Sequence, residues 1–269
     1  MPRFTASACG DLELFVVNMS RLRLWVTLII GLAALALDRV PPGQAPYVRP
    51  TFARWMRGER AHLLRLAHRY NPADVSGIGD REFAVVLATV LYNEHFGWFE
   101  ETLPPVQPFT PLYQQAQVEA NLVFGTDFSV WPANLRPSVA REILRGELPL
   151  PGQIGSVPVQ VPGAQGYTNA SNSVLTAAIA VPSQAAEYLA ANLARGVYRA
   201  RAERVAVNWQ TLAAWHNAGI VTPRAIASNP AATDYLQRAA RYQPLAEAFV
   251  DEGLAELHAV LYREARVVQ

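Results

Sequence analysis

Residues 83–101 read Phe83-Ala-Val-Val-Leu-Ala-Thr-Val-Leu-Tyr-Asn-Glu94-His-Phe-Gly-Trp-Phe-Glu-Glu101. Val86, Leu87, Val90 and Leu91 carry the i, i+1, i+4, i+5 spacing of a buried helix face. The apolar run then ends on an acid flanked by Tyr92, Asn93 and His95. A carboxylate beside so much apolar surface is costly to keep ionised. The stretch therefore predicts a Glu94 pKa pushed upward, as a general acid needs. The competing reading is a helix-end residue that faces water. Asp80 is the expected N-cap.

Outward from this helix the chain reads as all-α. Thr51 to Tyr70 form a basic amphipathic helix, with Trp55, Met56, Leu63, Leu64, Leu66 and Ala67 on one side and arginines on the other. Asn71-Pro72 ends it. Helices are expected over Leu112 to Phe124, Ser138 to Arg145, Pro182 to Tyr198 and Arg204 to His216. Short ones start at Thr222-Pro223 and Asn229-Pro230, and a long one runs from Pro244 to about Arg266. Residues 146–172, rich in Pro and Gly, interrupt the pattern as a hairpin or an ordered loop.

The chain of 269 residues is 51% hydrophobic and 17% charged, enough for one full core. Net charge is +1 and every basic chain is Arg or His, so no strong field selects nucleic acid. The single Cys9 allows no intrachain disulfide and no thiolate metal site. Arg21 and Arg23 precede an apolar run, Leu24 to Leu37, that suits a signal h-region or an uncleaved signal-anchor. It falls short of the roughly 20 apolar residues of a membrane span. Residues 1–40 are thus read as tail and signal or anchor, 41–50 as an extended linker, and 51–269 as the folded domain. The domain is expected outside the cytoplasm, either secreted or attached to the membrane through residues 24–37.

Three segments carry a family resemblance. Leu91-Tyr92-Asn93-Glu94 closes an apolar helix. Ser129-Val130-Trp131-Pro132-Ala133-Asn134-Leu135-Arg136-Pro137-Ser138-Val139-Ala140-Arg141-Glu142 is a Ser-bearing loop that leads into a helix started by Pro137. Ala213-Ala214-Trp215-His216-Asn217-Ala218-Gly219 comes late in the domain. Their order and content resemble the lysozyme-like domain of lytic transglycosylases and related muramidases, over residues 70–222, with 223–269 as a C-terminal extension. The resemblance implies a lysozyme-like helical fold, cleavage of peptidoglycan glycan strands, Glu94 as the catalytic acid/base and no cofactor or metal. It also implies sugar contacts from Ser129, Asn134, His216 and Asn217. Two departures stand out: Trp131 lies where a Gly is expected, and His216 takes the place of a Tyr. Trp131 and Tyr92 are candidate stacking platforms for sugar rings, as are Trp98, Tyr167 and Trp215.

An ordinary glycoside hydrolase also needs a second carboxylate across the sugar. Asp127 is the candidate, with Glu100 and Glu101 behind it, and none stands in a marked context. That favours a lytic transglycosylase, which works with one Glu. A muramidase-type hydrolase and a non-catalytic wall-binding protein on the same fold remain as alternatives. No phosphate loop, dinucleotide fingerprint or nucleophile elbow occurs.

Overall fold

The computed structural model describes residues 46–267, with side chains as far as Leu257. The apolar run 24–37, Cys9 and residues 41–45 of the linker lie outside the described residues. Eleven α-helices dominate, so the all-α expectation holds. They are α1 (Pro50–Tyr70), α2 (Ala73–Ser76), α3 (Asp80–Glu94), α4 (Gly97–Thr102), α5 (Thr110–Phe124), α6 (Pro137–Leu144), α7 (Asn172–Ile179), α8 (Pro182–Ala202), α9 (Trp209–Ala218), α10 (Pro223–Ala227) and α11 (Pro230–Val267). Among the described residues no single helix is long and apolar enough to cross a membrane.

The centre of the fold is α3. Its sequence suggests one buried face, but every residue from Phe83 to Asn93 is buried. The reason is that α1, α8, α9 and α11 surround it. Gly79, not Asp80, is the N-cap, and Glu82 closes the first turn by accepting from the Gly79 N–H at 3.0 Å. An acid in the first turn also suits the helix dipole. Leu87, Val90 and Leu91 are fully buried. Each such side chain contributes about 1.5–3 kcal/mol.

Both ends of the domain pack against its body. Of the linker, residues 46–49 are docked: Arg49 pairs with the buried Glu100, and the Tyr242 hydroxyl donates to the Tyr47 carbonyl at 3.3 Å. The C-terminal extension packs on the core, and its long helix starts earlier than Pro244. One helix, α11, begins at Pro230 and passes through Pro244 without a break, to pack along α3. Proline inside a helix removes a bond to the carbonyl four residues back. Here Pro244 and Ala240 both lie on the exposed side, where water can serve that carbonyl. On the inner side Ala232, Tyr235, Ala239, Tyr242, Ala246 and Phe249 form one buried stripe.

The Pro/Gly-rich segment opens as a two-stranded antiparallel hairpin, β1 (Glu147–Leu150) against β2 (Gln153–Ser156), with Leu150 opposite Gln153. Gly152 at φ 76° makes the tight turn that only glycine adopts freely. Val159 and Val161, from the Val-Pro alternation beyond it, are buried in the core. Two arginines of α8 hold the hairpin: Arg195 Nε donates to the Glu147 carbonyl at 2.8 Å, and Arg199 donates to the Pro149 carbonyl.

Candidate active site

Glu94 is the last residue of α3, and its side chain is 12% exposed. Three side chains from distant parts of the chain meet its carboxylate. The Tyr235 hydroxyl donates to Oε1 at 2.6 Å, and Asn134 Nδ2 donates to Oε2 at 2.6 Å. His216 Nε2 stands 3.2 Å from Oε1. Asn134 Nδ2 also reaches the Glu94 backbone carbonyl at 3.2 Å, one of the carbonyls a helix end leaves unpaired.

Each donor is aimed by a local feature of sequence. Val130 and Leu135 bridge, the Val130 N–H donating to the Leu135 carbonyl at 2.8 Å, and the chain between them turns tightly. The Trp131–Pro132 peptide in that turn is cis, and Asn134 sits at φ 47°. That left-handed region is one that Asn tolerates better than most residues. His216 stands on the last turn of α9, which Gly219 ends at φ 67°. Gly196 lets α9 approach α8 closely: a Cβ there would meet the Trp215 ring at 2.5 Å. The Trp215 indole N–H donates to the Asn192 carbonyl at 2.8 Å and fixes the register.

Burial pushes the Glu94 carboxyl up. Against it work the hydrogen bond and electrostatic attraction of His216, the Tyr235 hydroxyl and the Asn134 amide. Together these hold the carboxyl below the ordinary carboxylate range. The sequence predicts the opposite direction, because periodicity shows the burial but not the donors. Burial and the Glu94 charge push the Tyr235 phenol well above its usual value, so it stays a donor. His216 Nδ1 and Asn134 Oδ1 are buried without a hydrogen-bond partner.

Glu94 opens on a cleft of ≈ 520 Å³. Ser129, Asn134, His216 and Asn217 line the same cleft, so four of the six expected binding residues share it with Glu94. Trp215 lines it as well, and Pro149 of the hairpin contributes to its wall. Asn217 is exposed and Trp215 is buried.

The other expected residues are elsewhere. Tyr92 is a core aromatic, its ring parallel to that of Tyr242 at 6.4 Å; burial pushes its phenol up to about 12. The helix carries it past the cleft, two residues short of Glu94. Trp131 does not line the cleft; its ring lies 6.3 Å from both Phe52 and Trp55. Trp98 is buried under the Arg238 guanidinium at 4.1 Å, and Tyr167 is exposed outside the cleft. Asp127 is no second carboxylate: Oδ1 accepts from the Ser138 N–H at 2.8 Å and Oδ2 from its hydroxyl at 2.6 Å, which satisfies the start of α6. Glu100 and Glu101 pair with Arg49 and Arg241.

Sequence reading misses three residues of the site. Tyr235 is hidden because Pro244 reads as a helix start, although the Ala232-to-Phe249 stripe continues through it. Glu142 and Arg195 also line the cleft, joined by a 2.8 Å ion pair. Nothing in their local sequence marks them. Among the described residues no group of three or more His, Cys, Asp or Glu side chains gathers as a metal site would require. Comparison of the chain with protein-family models, with curated proteins and with solved structures yields no match.

Proposed function

We propose that this chain cuts the glycan strands of bacterial peptidoglycan, at the β-1,4 bond between N-acetylmuramic acid and N-acetylglucosamine, as a lytic transglycosylase with the lysozyme-like fold. The observation that carries this reading is convergence. The three segments singled out by family resemblance, far apart in sequence, bring Glu94, Ser129, Asn134, His216 and Asn217 to one cleft. A helix end that only needed a cap would not require side chains from three remote elements.

In the proposed reaction Glu94 protonates the leaving glycosidic oxygen while the substrate acetamido oxygen stabilises the anomeric carbon. Glu94, now a carboxylate, accepts the proton of the sugar 6-hydroxyl. That oxygen closes on the anomeric carbon to give a 1,6-anhydro end. The donors around Glu94 favour its ionised form and suit the second half. The first half draws on the protonated form, whose share grows as pH falls. Asn134 and Tyr235 act as positioning residues that fix the carboxylate. Asn217 and Ser129 offer amide and hydroxyl contacts to sugar groups. The setting is extracytoplasmic, with residues 24–37 as signal or anchor.

A hydrolase reading has one observation in its favour: Glu142 is a second carboxylate lining the cleft. Product ends separate the two. Isolated sacculi are incubated with the full chain and the soluble muropeptides are analysed by mass. Anhydro ends support the transglycosylase. Reducing ends, lost in Glu142→Gln, assign hydrolysis with Glu142 as base. Binding to sacculi without any release identifies a wall-binding protein and overturns the enzyme.

A further inference from the structure

One wall of the cleft belongs to α6 and its N-cap. Arg136, Val139 and Glu142 all line the cleft, and their spacing of three puts them on one helix face. At a rise of 1.5 Å per residue, the Cα atoms of Arg136 and Glu142 lie about 9 Å apart along the axis. Two charges of opposite sign thus flank an apolar side chain, in a cleft whose other polar groups include the uncharged Ser129, Asn134 and Asn217.

The two arginines of the cleft differ in what holds them. Arg195 is 1% exposed and committed. Its Nη2 donates to Glu142 Oε2 at 2.8 Å, its Nη1 donates to Asn192 Oδ1 at 3.1 Å, and its guanidinium lies 5.7 Å from the Trp215 ring. Arg136 is exposed. It serves α6 through its backbone, whose carbonyl accepts from the Ala140 N–H at 3.0 Å, and its side chain caps nothing. Among the described residues its guanidinium has no hydrogen bond and no ion pair. A neutral sugar strand laid over it would strip water from the cation and return no charge. A carboxylate would return a charge-assisted contact that the planar guanidinium can make with both oxygens.

Resting on the glycan-cleaving reading for the kind of strand, we propose that Arg136 binds a carboxylate of the substrate and makes the cleft select acidic glycan over neutral glycan. In peptidoglycan that carboxylate is carried by muramic acid, on its lactyl group or on the peptide attached there. Chitin has the same β-1,4 linkage and acetamido groups and lacks the carboxylate. Arg136 is therefore a specificity residue: it touches the strand and takes no part in proton transfer.

The test measures binding by calorimetry, with the full chain carrying Glu94→Gln so that no probe is consumed. The probes are a peptidoglycan tetrasaccharide with its peptides, the same tetrasaccharide without them, and neutral chitotetraose. The peptide-bearing probe is expected to bind about 10-fold tighter than chitotetraose, as a hydrogen bond to a charged group gives. Adding Arg136→Gln should abolish that difference and leave the melting temperature unchanged. If the peptide-free probe shares the advantage, the lactyl carboxylate is the partner; if it binds like chitotetraose, the peptide carboxylate is. Equal binding of all three probes, no binding of any, or an advantage that survives Arg136→Gln overturns the proposal. Muropeptide release from sacculi by the unaltered chain is scored separately. An Arg136-dependent advantage without release supports the carboxylate site and overturns the cleavage; release without the advantage does the reverse.

Discussion

Glu94 and Asp127 are both acids that stand close to a Ser or an Asn in sequence, and the fold gives them opposite work. Asp127 takes both of its hydrogen bonds from Ser138, the N–H and the hydroxyl of one residue at the start of α6. Glu94 takes its bonds from Asn134 and Tyr235, with His216 beside it, one from a loop and two from separate helices. The first arrangement satisfies an orphan N–H and is complete in itself. The second gathers polar groups at the edge of an apolar core, which costs desolvation at each one, and leaves the carboxylate facing a cleft. The two are told apart by where a carboxylate's partners come from, not by its local sequence.

The largest expected effect comes from the acid itself. Glu94→Gln should reduce muropeptide release by about 10²–10⁴-fold, the range for loss of a general acid/base. Circular dichroism and thermal melting should show the same fold. Acid sharpens the contrast next. His95, buried just past Glu94, is lowered from 6.5 to about 4 by desolvation, while the Tyr92 carbonyl accepts from its Nδ1. The unfolded chain therefore binds the extra proton first, and stability falls as pH drops from 6.5 toward 4. The loss amounts to roughly 3 kcal/mol at the lower end. Glu94, lowered below its ordinary value, adds a loss as pH falls through its own folded pKa. Denaturant midpoints measured from pH 6.5 to 4 check the His95 loss, and midpoints carried on below 4.5 check that of Glu94; a flat profile would contradict them.

Tyr235→Phe removes one donor that favours the charged form of Glu94. The Glu94 pKa should rise, and the pH profile of muropeptide release should move to higher pH, with a rate loss of about 10-fold from weaker positioning. A rate loss without a shift would limit Tyr235 to packing. The smallest effect belongs to the other carboxylate. Asp127→Ala should cost about 1 kcal/mol of stability, as loss of a helix cap does, and leave the pH profile unmoved. A large loss of activity at unchanged stability would return Asp127 to the chemistry.

Much of the fold is legible in the chain because helix signals are local. Pro50, Pro137, Pro182 and Pro223 all stand at helix starts, and Gly125 and Gly219 follow helix ends. The site is legible as far as short words mark it: the Glu94 helix end, the Ser129–Asn134 loop and the segment ending at Gly219. What is missed depends on tertiary context. Tyr235 belongs to an apolar stripe whose continuity is masked by a solvent-facing proline. The direction of the Glu94 pKa shift depends on donors that periodicity cannot locate.

The most direct test of the central claim sets the two carboxylates side by side. Sacculi are digested with the full chain, with Glu94→Gln and with Asp127→Asn, and soluble muropeptides carrying 1,6-anhydro ends are counted. Release by the unaltered chain and by Asp127→Asn, with none from Glu94→Gln, is the predicted result. Equal release from Glu94→Gln and the unaltered chain, or no release from any of the three, would contradict it.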